Sequence, residues 1–455
     1  MCPEDARVLS ETRSLCPECF AAIPASKIAV GQDVFMEKTC PTHGEFRTIL
    51  WRGLPAHADW VRPKIPCHPS APITVSEQGC PFDCGLCPEH RQQTCTALLE
   101  ITQRCDLRCP YCFADSGNGD WRDPEMKVVR SWYETLLASG HSCNIQISGG
   151  EPTLRDDLPE VVEMGRALGF SFIQMNTNGI RLARDPLLAE RLKEAGLASV
   201  FLQFDGTDDE IYRTLRGKPL FQTKLKAIHN CSQQELGVVL VPTLVPGVNT
   251  DNIGDIISFA LEKVPVARGV HFQPVSYFGR YPGPPSDSDR LTLPEVIRHI
   301  DAQTSGLFRA ENFKPPGCEN ALCSFHGNFV LMPDGKIKAL TQHQPYSECC
   351  RPRTVDEGAS KTRDFVMEHW SLPPKTEPTM EGTGISLGEW DVLLERARTH
   401  MLCISGMMFQ DAWNIDLERL RDCCIHVMER DGKTIPFCAY NLSSSSGRSL
   451  YRRGW

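Results

Sequence analysis

The stretch TALLEITQRCDLRCPYCFADSG, residues 96–117, places an apolar run before three cysteines at the spacing C-x3-C-x2-C. The apolar run predicts a buried β-strand over residues 97–102, so Cys105, Cys109 and Cys112 lie in the loop that follows it. Three thiolates at this spacing can hold three irons of a [4Fe-4S] cluster and leave the fourth iron for a small-molecule ligand. A closed zinc site is the alternative, but zinc normally takes a fourth protein ligand.

Short apolar segments and longer amphipathic segments alternate from Thr96 to Gln303, which is typical of repeated βα units. The predicted strands are 97–102, 144–148, 172–177, 199–204, 238–244 and 269–275. The predicted helices are 126–138, 158–168, 186–195, 223–231, 253–262 and 294–302. This pattern predicts an α/β fold, a partial (βα)6 TIM-like barrel, with its site at the carboxyl ends of the strands.

A second motif, ISGGEPTLR at residues 147–155, follows the second predicted strand. Two glycines allow close approach of the backbone to a ligand, and a carboxylate beside them can accept hydrogen bonds. Polar residues at later strand ends face the same mouth, either as ligand contacts or as ordinary strand-end caps. The candidate cofactor-binding residues are Tyr111, Gly149, Gly150, Glu151, Pro152, Asn176, Asn178 and Asp205.

Further cysteines predict three more metal sites. Cys80, Cys84 and Cys87 repeat the C-x3-C-x2-C spacing, and Cys95 follows within reach as a fourth ligand, so we expect a closed auxiliary [4Fe-4S] cluster rather than zinc. Two chelating pairs near the N-terminus suit one mononuclear Fe or Zn. That second set is Cys16, Cys19, Cys40 and His43. A third cluster would use C-terminal cysteines, although buried free thiols are also common. Its candidates are Cys318, Cys323, Cys403, Cys423 or Cys424, and Cys438.

Composition excludes some partners. The formal charge is −9 and no long Lys/Arg run occurs, so we expect no nucleic-acid partner. No apolar signal core or spanning segment is present, which favours a cytoplasmic protein whose 22 cysteines bind metal rather than form disulfides. The tail SGRSLYRRGW, residues 446–455, is expected to be mobile or to make a peripheral membrane contact.

The motifs CDLRCPYC and GGEP resemble the cluster loop and the cofactor-binding turn of the radical S-adenosylmethionine (SAM) superfamily, over roughly Thr96 to Gln303. The resemblance implies a six-unit partial barrel in which SAM binds the open iron. It also implies reductive cleavage of SAM to a 5′-deoxyadenosyl radical, with electrons from a donor such as a flavodoxin or ferredoxin.

A narrower resemblance covers nearly the whole chain. The order of CPECF, CPTHG, GCPFDCGLCP, the radical loop, CSFHGNF, MMFQDAWNIDLERL, CCIHV and PFCAYN is similar to the group of tetraether lipid synthase and 7,8-dihydro-6-hydroxymethylpterin methylase. It implies about three [4Fe-4S] clusters and a rubredoxin-like mononuclear site. We expect a rubredoxin- or zinc-ribbon-like module at 1–50, an auxiliary cluster segment at 51–95, the barrel at 96–303 and a C-terminal auxiliary cluster domain at 304–455.

The resemblance leaves three functions. The first is C–H activation and C–C bond formation on a lipid or isoprenoid chain, and the alternative is C-methylation of a pterin. A multi-cluster electron carrier without catalysis is a third hypothesis, which the open cysteine triplet and the GGEP turn disfavour. A lipid would need a long apolar channel, whereas a pterin would need a compact polar pocket.

Overall fold

A computed structural model describes residues 6–69, 72–117, 122–140, 142–344, 352–373 and 388–452. The N-terminal module expected at residues 1–50 forms a four-stranded antiparallel sheet. Its strands are β1 (Ala6–Leu15), β2 (Ala22–Val30), β3 (Asp33–Cys40) and β4 (Gly44–Trp51). Buried and partly exposed residues alternate along β3, but many of these residues are polar, so the apolar pattern in the sequence is weak.

The predicted alternation of strands and helices is confirmed over the barrel. After the two-residue strand β5 (Lys64–Ile65), the barrel strands are β6 (Thr96–Thr102), β7 (Asn144–Gly149), β8 (Ile173–Thr177), β9 (Ser199–Gln203), β10 (Gly237–Val241), β11 (Thr243–Leu244) and β12 (Ala267–Pro274). The helices are α1 (Met126–Ala138), α2 (Leu158–Ala167), α3 (Ile180–Arg184), α4 (Pro186–Glu194), α5 (Asp209–Arg216), α6 (Phe221–Gln233), α7 (Ile253–Glu262) and α8 (Leu293–Gln303).

The C-terminal part of the chain alternates short strands with helices. Its elements are β13 (Ser324–Leu331), β14 (Ile337–Ala339), β15 (Arg353–Thr354), α9 (Val355–Trp370), α10 (Glu389–Thr399), β16 (Met401–Met407), α11 (Leu417–Arg421), β17 (Ile425–Met428), β18 (Thr434–Pro436) and α12 (Phe437–Asn441). Strand β15 pairs with β5, apart from the main sheet. No helix in the described parts of the chain is long and apolar enough to cross a membrane.

One sheet joins the barrel to the C-terminal strands, in the order β14-β13-β16-β12-β10-β9-β8-β7-β6-β17-β18. Strands β17 and β16 continue the parallel arrangement on either side of the six barrel strands, and β18 and β13 add antiparallel neighbours. The C-terminal segment therefore supplies walls of the barrel itself. Sequence reasoning did not predict this, because β6 and β17 are separated by more than 300 residues.

Barrel strands are buried on both faces, as expected when helices cover a parallel sheet. All five residues of β10 are buried, and Trp132 and Tyr133 on α1 pack into the same core. The predicted strand 238–244 divides into β10 and β11 at Pro242, which has no amide hydrogen to donate. Helix α5 was not predicted, because its apolar residues are outnumbered by charged ones.

Candidate active-site cavity and metal centres

A cavity of about 570 Å³ runs through the interior of the barrel. Its walls include Asn144 and Phe172 near the starts of the strands and Gly149 and Thr177 at their ends. Residues before and after strand β6 line it as well, so it extends along the whole strand. Seven residues of strand span roughly 23 Å, which gives the cavity two well-separated ends.

The predicted radical triplet lies at the carboxyl end of the strands. Cys105, Cys109 and Cys112 all line the cavity. The loop that carries them is fixed by Arg280, whose backbone exchanges two 2.9 Å hydrogen bonds with Cys112 and whose Nε donates to the carbonyl of Cys109 at 2.8 Å. Tyr111 lines the cavity and packs edge-on against Tyr277. The segment that follows β12, which carries Tyr277 and Arg280, therefore positions the triplet.

Burial governs the chemistry of these thiols. It raises the pKa of Cys105 to about 12, with smaller contributions from Glu151 and the other two cysteines of the triplet. A bound iron supplies the positive charge that converts such a buried thiol into a thiolate. The three sulfur donors at one end of a cavity therefore fit a [4Fe-4S] cluster, which Cys105, Cys109 and Cys112 would hold through three of its irons.

The GGEP turn lines the cavity together with the triplet, and its glycines have a packing role in addition to the ligand approach expected of them. A Cβ on Gly149 would lie 2.1 Å from the carbonyl oxygen of Thr102, and one on Gly150 would lie 2.2 Å from that of Arg104. Gly149 also has a φ of +128°. The glycines are required because the end of β7 packs against the end of β6, and their lining of the cavity follows from that packing.

Glu151 is a buried structural centre of the turn. Its Oε1 accepts hydrogen bonds from the backbone and hydroxyl of Thr153 and from the hydroxyl of Thr177, and its Oε2 accepts one from the amide of Asn178. Burial raises the pKa of Glu151, although these donors oppose the shift. Oε2 retains acceptor capacity toward a ligand ammonium group. Pro152 begins the 3-10 turn that follows and does not donate there.

The three polar residues at later strand ends have different positions. Asn176 lines the cavity, where its side chain accepts from Gln146 at 2.7 Å and donates to Ser148 at 3.2 Å. Asn178 lines it too and donates to Asp106. Asp205 was expected to contact cofactor or substrate, but it is fully buried and paired with Arg216 through two hydrogen bonds of 2.7 and 2.6 Å. Arg216, rather than Asp205, reaches the cavity.

Sequence reasoning missed the polar side chains of the barrel interior. Gln146, Gln203 and His271 line the cavity, and they lie on the barrel strands β7, β9 and β12. His271 Nδ1 lies 2.8 Å from the hydroxyl oxygen of Ser405, and burial lowers the pKa of this histidine to about 4. A polar residue within a strand buried on both faces is the signal that would have found them, because only a cavity accommodates it without penalty.

The N-terminal site brings together all four predicted ligands. Cys16, Cys19, Cys40 and His43 present donor atoms within 4.8 Å of one another. The sulfur–nitrogen distances from His43 Nδ1 are 3.6 Å to Cys16 and 3.5 Å to Cys40, and Cys19 lies 4.0 Å from Cys40. Tetrahedral coordination at ordinary metal–ligand distances gives edges of about 3.6 Å for S–N and about 3.8 Å for S–S. Backbone amides of Thr42 and His43, with the His43 side chain, lower the pKa of Cys40 to about 6.

Comparison with known proteins agrees with this geometry. Residues 99–260 match the family described as the radical SAM superfamily, and residues 8–52 match the family described as the HMPTM N-terminal zinc ribbon domain. Over 472 aligned residues the chain is 35% identical to the 7,8-dihydro-6-hydroxymethylpterin dimethyltransferase of Methanocaldococcus jannaschii, covering 95% of this chain and 93% of that protein. The chain belongs to the radical SAM superfamily.

More distant relatives cover less of this radical SAM chain. The Fe-coproporphyrin III synthase of Methanosarcina barkeri is 32% identical and covers 45% of this chain and 49% of that protein. Among solved structures, Streptococcus suis SuiB bound to its precursor peptide SuiA is similar with a TM-score of 0.40 and 16% identity, covering 48% of this chain and 46% of that one.

As a radical SAM iron–sulfur enzyme, the protein binds SAM and a [4Fe-4S] cluster. The cysteines expected to form auxiliary clusters are grouped differently from the prediction. Cys84 lies beside Cys80 and Cys87, and its hydrogen bond with Cys80, together with burial, raises its pKa well above the usual value. Cys95 is not the fourth member of this group. Its thiol contacts Cys318 and Cys424 instead, with the three sulfurs within 4.8 Å.

The register of the sheet explains this correction. Parallel pairing aligns Ile425 of β17 with Thr96 of β6, so the preceding residues, Cys424 and Cys95, lie side by side, and the amide of Cys95 donates to the carbonyl of Cys424 at 2.8 Å. Cys318 completes the group, its sulfur 3.2 Å from that of Cys424. All three line the cavity at the amino end of the strands, opposite the radical triplet.

The other C-terminal cysteines do not join that group. Cys423, the neighbour of Cys424, donates its thiol to the carbonyl of Ile425 at 3.2 Å. Cys323 accepts a hydrogen bond at its Sγ from Arg419 Nε at 3.1 Å. Of the residues expected to hold the third cluster, the structure brings Cys318 and Cys424 together, with Cys95 as the third sulfur.

Cys403 belongs to neither group. It lies on β16 in register with Gly269 of β12, and its thiol is surrounded by Trp370 and Arg268. Burial raises the pKa of Cys403 to about 12, as in an ordinary core thiol. The expectation that it ligates the third cluster is not supported by this position.

The described part of the C-terminal tail, residues 446–452, is docked against the protein rather than mobile. Tyr451 donates its hydroxyl to the carbonyl of Pro81 at 2.6 Å and accepts from the amide of Cys84 at 3.0 Å. Arg448 donates to the carbonyl of Cys19, and Arg452 is buried in an ion pair. Arg453 and Trp455 lie outside the described residues.

Proposed function

We propose that this radical SAM enzyme methylates carbon atoms of a pterin of the 7,8-dihydro-6-hydroxymethylpterin type. The main support is the cavity, which joins the radical triplet to a wall of amide and imidazole side chains inside the barrel. The similarity over nearly the full length to a pterin dimethyltransferase supports the same substrate class. SAM bound at the cluster supplies, after uptake of one electron, the radical that removes a hydrogen atom from carbon. A second SAM would supply the methyl group: its S–CH3 bond breaks, the new C–CH3 bond forms with one further electron from the reductant, and S-adenosylhomocysteine leaves.

The side chains of the barrel interior suit a flat, polar heterocycle. Gln146, Asn176 and Ser148 form a hydrogen-bonded row that presents both donors and acceptors. Phe172 and Phe201 line the same space and provide apolar aromatic surface beside these polar groups. Polar groups that fix orientation within an otherwise apolar pocket are the usual composition of a small-molecule site.

A lipid substrate, the first expectation from the sequence, has less support. Gln146, Gln203 and His271 could offer further hydrogen bonds to a heterocycle, whereas a hydrocarbon chain would leave that capacity unused. The pterin hypothesis, which was the alternative, agrees with the polar side chains of the barrel interior and with the similarity to the pterin dimethyltransferase. We therefore place carbon methylation of a pterin ahead of lipid C–C coupling.

The auxiliary groups are assigned as proposals. We propose one iron–sulfur cluster at Cys80, Cys84 and Cys87 and another at Cys95, Cys318 and Cys424. We also propose a mononuclear Zn or Fe at the N-terminal site. A cluster at Cys95, Cys318 and Cys424 would face the cavity at the end opposite the radical triplet. An electron donor such as a flavodoxin or ferredoxin and a cytoplasmic location also remain predictions.

An anaerobic assay tests the function. Holoenzyme, dithionite and SAM should release 5′-deoxyadenosine, and added 7,8-dihydro-6-hydroxymethylpterin should gain methyl groups detectable by mass spectrometry. Cys109→Ala should abolish both signals, whereas Cys231→Ala, a buried thiol on α6 away from the cavity, should preserve them. Release of 5′-deoxyadenosine without a change in the pterin would contradict the substrate. No release from protein with full cluster content would favour the electron-carrier hypothesis.

A further inference from the structure

Five basic side chains line one side of the cavity, and we call them the cationic wall: Arg62, Lys314, Arg353, Lys361 and Arg363. They come from three separate stretches of the chain, with Lys361 and Arg363 both on helix α9. Within the described parts of the chain, none of the five forms an ion pair with a carboxylate. This set differs from an ordinary protein surface, where positive and negative side chains are interspersed.

Like charges in this wall oppose one another. Burial, followed by repulsion from Arg353, lowers the pKa of Arg62, while Glu319 partly offsets it. Burial and the charges of Arg62 and Arg353 likewise lower the pKa of Lys314. Folding has therefore placed these cations together at a cost, and a bound anion would relieve it.

The carboxylates of the cavity do not neutralise the wall. Only two carboxylate side chains, Glu151 and Glu319, occur among the described residues that line the cavity. Glu151 is engaged by four hydrogen bonds in the GGEP turn. Glu319 is therefore the single carboxylate set against five cations.

The neighbouring cysteine group accounts for part of the charge. Arg363 hydrogen-bonds Cys95, so we assign it to any cluster held by Cys95, Cys318 and Cys424. Such a cluster with three thiolates carries about one net negative charge in its oxidised state. The remaining cations of the wall are Arg62, Lys314, Arg353 and Lys361. With the one negative charge of Glu319 they leave an excess of three positive charges. A ligand with a single carboxylate would neutralise only one of these.

We infer that the cationic wall binds a phosphate or diphosphate ester group of the substrate. Arginine matches phosphate oxygens with two parallel hydrogen bonds, and lysine adds a point charge. The inference rests on the proposed function and sharpens it: the substrate would be a phosphorylated pterin, with the ring among the polar residues of the barrel interior and the ester group at the wall. A phospholipid headgroup shares this chemistry and is the other possible source.

Direct binding to the holoprotein tests this without turnover. Under anaerobic conditions, calorimetry would measure the affinity for three ligands. They are 6-hydroxymethyl-7,8-dihydropterin, the diphosphate ester of its hydroxymethyl group, and a short-chain phosphatidylglycerol below its micelle concentration. We expect the diphosphate to bind at least about tenfold more tightly than the free alcohol, from charge-assisted hydrogen bonds. In Arg62→Gln/Lys314→Gln that preference should fall to within about threefold. Arg309→Gln, which alters an exposed arginine outside the cavity, should keep it.

The outcomes separate the two proposals. Equal affinity of the wild-type protein for the free and esterified pterins would overturn the phosphate site and leave pterin methylation standing. Tighter binding of phosphatidylglycerol than of either pterin, lost in the double variant, would support the phosphate site but assign it to a lipid and contradict the pterin substrate. Retention of the preference by the double variant would overturn the cationic wall as its cause.

Discussion

The carboxylate of Glu100 on β6 accepts two hydrogen bonds from the guanidinium of Arg452, at 2.8 and 2.6 Å. Glu100 is fully buried, and the Arg452 side chain is 8% exposed. Arg452 also donates to Asn441 at 2.7 Å and lies over the ring of Tyr440. This pair joins the C-terminal tail to the strand that leads into the radical loop.

Loss of Arg452 should therefore destabilise the protein strongly. Arg452→Gln leaves the Glu100 carboxylate buried without its partner, which typically costs about 3–5 kcal/mol. We expect a lower thermal midpoint by calorimetry and faster loss of iron. Arg213→Gln, which breaks an exposed pair with Glu210, should cost less than about 1 kcal/mol. Equal effects of the two substitutions would show that the tail contributes little to stability.

The cysteine groups predict different effects for two buried thiols. Cys424→Ala removes one of three sulfurs in the group with Cys95 and Cys318, so the holoprotein should lose about four irons. Cys403→Ala removes a buried thiol next to Trp370 and should leave the iron content at the wild-type value. Iron analysis and electron paramagnetic resonance of the reduced proteins provide the measurement. The assignment fails if Cys403→Ala loses a cluster and Cys424→Ala does not.

The GGEP turn should tolerate no side chain at its first glycine. Gly149→Ala would place a Cβ 2.1 Å from the carbonyl oxygen of Thr102, on a backbone with φ of +128°, so we expect a loss of about 2–4 kcal/mol in stability. SAM binding, measured by calorimetry, should weaken because β6 and β7 are forced apart. Gly283→Ala meets no atom within 4 Å and should change stability by less than about 0.5 kcal/mol. A stable Gly149→Ala protein would contradict the packing argument.

His271 predicts a specific dependence on pH. Its pKa is lowered by burial to about 4, so between pH 6.5 and 4 the unfolded chain binds a proton that the folded protein does not. Stability is therefore lost as the pH falls through this window, by about 2 kcal/mol at pH 5 from this residue. His271→Gln should have a shallower decrease of unfolding free energy with pH, measured by urea titration while absorbance confirms intact clusters. An unchanged pH slope in the variant would show that His271 does not titrate in this way.

Local sequence patterns were sufficient for much of the fold. The alternation between Thr96 and Gln303 predicted the barrel strands because strands buried on both faces are rich in apolar residues, as in β6 and β10. Cys16, Cys19, Cys40 and His43 were found because two tight turns each hold a close pair of ligands. In these cases the residues that define the feature are neighbours in the chain, or nearly so.

Groups assembled from distant segments were not predicted. Cys95 joins Cys424 because β17 inserts beside β6, and no local pattern encodes that register. Asp205 has the sequence position of a cofactor contact but is paired with Arg216, which comes eleven residues later on α5. The cationic wall has the same origin, since Arg62 and Lys314 meet only when the barrel is closed on that side.

The sequence by itself determined the chemistry that this protein carries: the cysteine triplet after β6, the glycine-rich turn after β7 and the four-ligand N-terminal site. Tertiary structure alone decided which cysteines share a site, where the cavity runs and which charges face it. The physical reason is that ligand spacing within a turn is fixed by a few backbone dihedral angles. Sheet register, in contrast, depends on the packing of the whole core, which places Cys95 beside Cys424 and Glu100 beside Arg452.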